Sequence, residues 1–160
     1  MNENMNEQRE SKTAIVTGAG RGIGRAIAIA LADEGLHVGL LAQRALVQMK
    51  KAGGGRIINI ASTASTQGYL HQSAYCASKH ALLGFARSLA MEAKEDNIHV
   101  HTLCPGGVDT RLIEGTYLAK RMQGQPTIRP EDIAKMVVFV LEQAENIDLP
   151  EVIVRRFVPG

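Results

Sequence analysis

Residues 13–24 read TAIVTGAGRGIG, and the fold follows from how that stretch divides. TAIVTG (13–18) is short, apolar and β-branched, as a buried strand is. In RAIAIALADEG, with the isoleucine before it, Ile23, Ala26, Ile27, Ala30 and Leu31 recur at helical spacing, and Gly35 is a good stop. A strand, a glycine turn and a helix in that order make an anion site. The glycines let the backbone approach a pyrophosphate, and the helix N-terminus offers free N–H groups and a partial positive charge. A bare turn that needs glycine only for positive φ is the plainer alternative. Gly18, Gly22 and Gly24 ahead of an apolar helix make it the lesser one.

Strand and helix patterns alternate onward from there. HVGLLA (37–42) reads as a second strand, and QRALVQMKKAGGG leads into RIINIA, a third. SAYCASKHALLGFARSLAMEAK reads as a long helix with Ser73 as N-cap, ending near Asp96–Asn97. IHVHTLC (98–104) is a fourth strand. RPEDIAKMVVFVLEQA opens with Pro130 and two acids, a standard helix start, and EVIVRRF is a last strand. This alternation predicts an α/β fold, a three-layer doubly wound parallel sheet (Rossmann-like) of about five strands. The expected domain spans 13–160, behind a polar, disordered tail over 1–12. Residues 111–128 lack clear periodicity and read as a lid or a surface loop.

The chemistry is concentrated in residues 62–79, STASTQGYLHQSAYCASK. Ser62 ends the third strand, Tyr75 follows thirteen residues later, and Lys79 lies one helical turn past Tyr75, on the same face. An ammonium beside a phenol favours the phenolate, which suits general acid–base work. A tyrosine and a lysine four apart are common on helices. Their combination with the glycine turn, and with CPGGVDT (104–110) after a later strand, is what raises them to candidates.

These three features together resemble the short-chain dehydrogenase/reductase family, in its 3-oxoacyl-[acyl-carrier-protein] reductase branch. The resemblance covers roughly residues 13–155. It rests on Thr17-Gly18-x-x-x-Gly22-x-Gly24, on Ser62, and on Tyr75-x-x-x-Lys79. It implies NADP(H)- or NAD(H)-dependent reduction of a small-molecule or acyl-carrier-bound carbonyl. Tyr75 is then the general acid, Lys79 its electrostatic partner and ribose ligand, and Ser62 the hydrogen-bond donor to the substrate oxygen. Gly18, Arg21, Gly22, Ile23 and Gly24 would contact the cofactor with Tyr75 and Lys79, as would Pro105, Gly106, Val108 and Thr110. An acid about 20 residues past the glycines holds the ribose hydroxyl in NAD sites. Gln43 and Arg44 stand there instead, and Arg21 is basic, a lean toward NADP(H).

The same resemblance exposes a gap. Between Ala42 and Arg44 the chain lacks counterparts of the family's third and fourth strands and the helices between them. An Asn-Asn-Ala-Gly turn and a relay asparagine go with them. Closing the sheet over the gap predicts the strand order 2-1-3-4-5, with the first strand beside the third. The connection from Gln43 to Gly55 is 13 residues, near the lower limit for a parallel crossover containing a helix, and it must step about 10 Å sideways. A catalytically inactive shortened member, binding nucleotide or dimerising, is the alternative to an enzyme. An enzyme with weak NADPH binding and slow or no turnover is the companion expectation.

Composition narrows the partners. A net charge of +2, scattered along 160 residues, gives no footprint for nucleic acid or a membrane surface. Cys76 and Cys104 have no metal or redox spacing, and no metal is expected. His99 and His101 share a strand face without a third ligand. The absence of a signal-like leader or membrane-length apolar run points to a reducing cytoplasm. The resemblance implies a homo-oligomer, since the family's long helix is commonly a subunit interface and its face here is apolar enough to serve.

Overall fold

The structure, a computed structural model, describes residues 13–15, 22–33, 37–39, 45–110, 115 and 117–157. The elements in chain order are β1 (Thr13–Ile15), α1 (Gly22–Asp33), β2 (His37–Gly39), α2 (Ala45–Lys51) and β3 (Gly55–Ile60). They continue with α3 (Ser73–Ala93), β4 (Ile98–Pro105), α4 (Tyr117–Met122), α5 (Pro130–Leu141) and β5 (Glu151–Val154). All pairings between these strands are parallel.

Alternation along β4 divides the fold into layers, because successive strand side chains point to opposite faces. Ile98 and Val100 meet Ala86 and Ala93 of α3, with Leu46 and Met49 of α2 against them. Leu103 points the other way, into Ile133, Ala134, Val137 and Val140 of α5 and Ile27 of α1. One face of the sheet therefore carries α2 and α3, and the other carries α1 and α5. Leu103, Ile133 and Val140 have no exposed surface. Fully burying an aliphatic side chain contributes about 1.5–3 kcal/mol, so this α1–α5–β4 seam is the main apolar anchor of the amino-terminal unit.

Two turns fix the register of β3 on β4. The short 3₁₀ turn Lys94–Asp96 ends α3, and Asn97 caps it in the left-handed region at φ 55°. The Asn97 carbonyl then accepts from Gly55 N–H at 3.1 Å. Gly54 has φ +151°, and a Cβ there would stand 2.7 Å from that carbonyl, so only glycine fits. Across the sheet, Arg56 donates from Nη1 to Val140 O (3.1 Å) and from Nη2 to Gln143 O (2.8 Å). Its guanidinium thus satisfies carbonyls at the end of α5.

The expected strand order needs correcting. The described strands form two hydrogen-bonded groups, β1–β2 and β3–β4–β5, and β1 does not pair with β3. A physical reason lies in the packing: α1 seats against α5 through the cluster around Ile27 and Ile133, so its strand is secured by that helix contact and not by a ladder to β3. The connection through α2 is tied by Met49 to Gly55 and by a Lys50–Asp96 ion pair of 2.7 Å, so it does not draw β3 toward β1.

Smaller differences follow. The N-cap of α3 is Gln72 rather than Ser73, which becomes the first helical residue. Residues 111–128 are not all loop: α4 occupies Tyr117–Met122, and Val108 bridges Ile128. The expected tail at 1–12, and the ends of the first two strands at 16–18 and 40–42, lie outside the described residues. No described helix is long and apolar enough to cross a membrane.

Candidate active site

The end of β3 turns sharply to present Ser62. Its backbone is extended (φ −168°, ψ 160°), and its Oγ accepts from Ala64 N–H at 3.1 Å, capping a buried 3₁₀ turn over Thr63–Ser65. Since Oγ is the acceptor in that contact, the hydroxyl proton remains available for another partner. The following loop is pinned locally. Thr63 Oγ1 and the Tyr69 hydroxyl are 2.7 Å apart, and Gln67 Nε2 donates to the same hydroxyl at 2.7 Å. Nothing in the spacing of Thr63, Gln67 and Tyr69 marked them in advance, because the bonds depend on the shape of the loop.

Helix α3 begins immediately after that loop. Tyr75 lies in its first turn, 38% exposed, and its hydroxyl has no hydrogen-bond partner among the described residues. Lys79 is one turn on and half-buried, with Nζ 5.8 Å from the centroid of the Tyr75 ring, within cation–π range. The structure therefore brings Tyr75 and Lys79 together as the spacing predicts. It does not place a hydrogen bond between them or from Tyr75 to Ser62.

Burial pushes the Lys79 ammonium below the ordinary lysine range. The opposing influence is Cys104, which would favour the charged lysine only as a thiolate. Cys104 is fully buried, and burial pushes its thiol up. The approach of Ser62 N–H and Ser65 works against that rise without being its main cause. A neutral thiol leaves desolvation as the dominant effect on Lys79. Among the described residues no carboxylate pairs with Lys79. A folded-state lysine pKa below the unfolded value destabilises the fold at neutral pH, a cost relieved only as pH rises toward about 10.5.

The loops at the same end of the strands complete the arrangement. Pro105 ends β4, and Gly106 N–H donates to Val154 O at 2.9 Å, while a Cβ on Gly106 would meet Thr63 at 2.9 Å. Val108 is buried, in its bridge to Ile128. Gly22 opens α1 at φ +55°, and a Cβ built there would lie 3.6 Å from Thr110 Cγ2. Gly22 and Thr110, 88 residues apart, thus approach each other. Gly22 is exposed, and Ile23 and Gly24 are half-buried in the first turn of α1. Gly18, Arg21, Gln43 and Arg44 lie outside the described residues.

The two histidines on β4 do something else. Their rings stack with centroids 6.0 Å apart at 10°. His101 is fully buried on the α5 side, bonded through Nδ1 to Leu149 O at 3.0 Å, and burial lowers its pKa. Among the described residues no three potential metal ligands cluster.

Parallel strands with helices on both faces and loops converging at one end define a Rossmann-like α/β fold. The closed form of serine dehydrogenase complexed with NADP+ shares it, with a TM-score of 0.75 and 18% identity over 89% of this chain and 94% of that chain. The family model for short chain dehydrogenase matches residues 12–46 and 40–120. The chain belongs to the short chain dehydrogenase family. Carbonyl reductase family member 4 of Xenopus tropicalis is 38% identical over 105 residues, 64% of this chain and 43% of that protein. A putative ketoacyl reductase of Streptomyces coelicolor is 44% identical over 75 residues, 43% of this chain and 29% of that protein. The chain spans less than half the length of these curated relatives.

Proposed function

We propose that the chain is an oxidoreductase that uses NADP(H) to reduce a carbonyl on a 3-oxoacyl-like substrate, small or carried on an acyl carrier. The observation that carries the reading is Lys79, a half-buried ammonium without a carboxylate partner among the described residues, set against Tyr75. The residues present fit a dinucleotide. Gly22 offers a bare backbone at the start of α1, with the N–H groups of that helix behind it.

In this reading Gly18, Arg21, Gly22, Ile23 and Gly24 hold the pyrophosphate and its flanks, and Lys79, Pro105, Gly106, Val108 and Thr110 hold the nicotinamide half. The cofactor, when bound, supplies hydride. The Tyr75 hydroxyl gives its proton to the carbonyl oxygen, and Ser62 donates its free hydroxyl hydrogen to the same oxygen, stabilising the charge that develops there. Lys79 stabilises the negative charge left on Tyr75. The basic residues Arg21 and Arg44, the absence of an acid after 37–42, and an NADP+ complex among the structures of the same fold support NADP(H).

Two overlapping family matches, 12–46 and 40–120, support an internal deletion near residues 42–44. The split between β1 and β3 favours a slow enzyme with weakened cofactor affinity, since a displacement of about 1 Å can cost on the order of a hundredfold in rate. The exposed Phe85 and Met91, beside exposed Gly84 on α3, support a homo-oligomer contact, and two buried free thiols accord with a reducing cytoplasm. Tyr75→Phe removes only the hydroxyl. It is expected to abolish NADPH-dependent ketone reduction and leave NADPH binding nearly unchanged in calorimetry. A variant that keeps most of its activity would take Tyr75 out of the mechanism.

A further inference from the structure

The carboxyl end of β5 leads into two consecutive arginines beside the Pro105–Gly107 turn. Most other described arginines at interactions of this kind are committed elsewhere: Arg87 to Glu151 at 2.7 Å, Arg129 to Asp132 at 2.7 Å, and Arg56 to carbonyls of α5 and the residues after it. Arg155 and Arg156 have no carboxylate partner among the described residues. Consecutive residues of an extended segment point to opposite sides, and these two straddle the Pro105–Gly107 turn.

Arg155 reaches toward the Ser62 side. Its Nη2 donates to Gln67 Oε1 at 3.4 Å, and Gln67 in turn holds the Tyr69 hydroxyl that bonds Thr63. Arg156 reaches toward the other side of the turn. Its Nε lies 2.6 Å from where a Cβ on Gly107 would be, so it packs on the bare backbone of Gly107, whose φ of +65° favours glycine. Arg156 Nη1 donates to Gln125 Oε1 (3.1 Å) and Pro126 O (3.3 Å). Its Nε–H and both Nη2 hydrogens have no acceptor among the described residues. Two positive forks with spare donors therefore border the turn that lies against Thr63, the residue next to Ser62.

We infer that the substrate carries an anionic oxygen group, carboxylate or phosphate, which Arg155, on the Ser62 side of the turn, holds while its carbonyl lies at Ser62 and Tyr75. A planar guanidinium matches the two oxygens of such a group, and charge-assisted bonds of this kind are the strong ones. Uncommitted guanidinium donors beside the turn are the feature a neutral substrate would leave without use. The assignment rests on the carbonyl-reductase reading for the position of the carbonyl, but not for the binding of the anion.

The test pairs 4-oxopentanoate with its methyl ester, which differ in charge at one end and share the ketone. Dissociation constants come from nuclear magnetic resonance titration with NADPH present, and turnover is followed separately through NADPH absorbance. The acid is expected to bind about tenfold or more tightly than the ester. Arg155→Gln, at an exposed side chain, should remove most of that preference and leave ester binding unchanged. Arg156→Lys, on the other side of the turn, should leave the preference in place. Inorganic phosphate should compete with the acid and not with the ester. Preferential acid binding without turnover would support the arginine subsite while overturning the reductase reading. Turnover with equal binding of acid and ester, or acid binding unaltered in Arg155→Gln, would overturn the subsite and leave the reductase reading standing.

Discussion

The β3–β4–β5 region and the β1–α1–β2 region are built from the same kinds of element and are secured differently. In the first, β4 runs eight residues with strands on both sides, helices cover both faces, and Arg56 ties the sheet to the end of α5. In the second, two three-residue strands pair with each other, and the connection to the rest is helix against helix, α1 on α5 through Ile27. Ser62, Tyr75, Lys79 and Pro105–Thr110 belong to the first region, and the glycine turn belongs to the second. In the proposed reading the proton-transfer residues sit on the better secured half, and the cofactor contact at Gly22 sits on a half seated through α1 against α5.

That contrast can be broken at the seam. Ile133→Ala removes a fully buried side chain that faces Ile27 and Leu103 and should cost about 2–5 kcal/mol. Chemical denaturation would show it as a lower midpoint, and NADPH affinity should fall with it because α1 loses its support. If affinity is unchanged at temperatures where the variant stays folded, the seam does not position the glycine turn.

A smaller effect is expected at Arg56. Arg56→Met keeps the aliphatic stem and deletes two bonds to carbonyls of α5 and its end, worth about 1–3 kcal/mol in sum. The loss should be confined to global stability, with the Tyr75–Lys79 end of α3 untouched. Measured midpoints equal to those of the parent would show that α5 needs no such cap.

The buried His101 sharpens the comparison through pH. Its folded-state pKa is lowered by burial, so the unfolded chain binds a proton more readily. Stability should therefore be full above about pH 6.5 and fall as pH drops below it, by at most about 1.4 kcal/mol per pH unit for one proton. His101→Gln should flatten that part of the profile. An unaltered slope would assign acid sensitivity to other groups.

The smallest effect belongs to the start of α5. Arg129 holds the exposed Asp132 carboxyl down to about 2, and Asp132 caps the Arg129 N–H at 3.2 Å. A depressed carboxylate stabilises above its unfolded value near 3.8 and loses that contribution as pH falls toward 2. Asp132→Asn should lower the melting temperature slightly, and less so in high salt.

The long periodic segments were legible. SAYCASKHALLGFARSLAMEA became α3 with its N-cap one residue before the expected position, and the IHVHTLC strand and the Pro130 helix start fell where the pattern put them. Local chemistry decides such elements, so local sequence reveals them. The pairing of β1 was not legible, because it depends on how α1 seats against α5 rather than on anything in TAIVTG. The helix Tyr117–Met122 is too short for a periodicity to show. Arg155 was hidden for a similar reason: its partner Gln67 is 88 residues away, and only the folded sheet brings the two together. Ser62, Tyr75 and Lys79 were readable as a set through their spacing, whereas the burial of Lys79 against Cys104 had to come from the structure.

Residue-resolved amide hydrogen exchange along β3 tests the split sheet most directly. In a parallel pair alternate residues face the same neighbour, and Gly55 and Ala61 donate to β4 through Asn97 O and Leu103 O. Ile57 and Asn59 therefore face β4, while Arg56, Ile58 and Ile60 direct their backbone groups to the side where no described strand pairs. Slow exchange at Ile57 and Asn59 with fast exchange at Arg56, Ile58 and Ile60 is the expected result. Equal protection of all five would mean that another strand pairs along that edge, and would contradict the two-sheet arrangement.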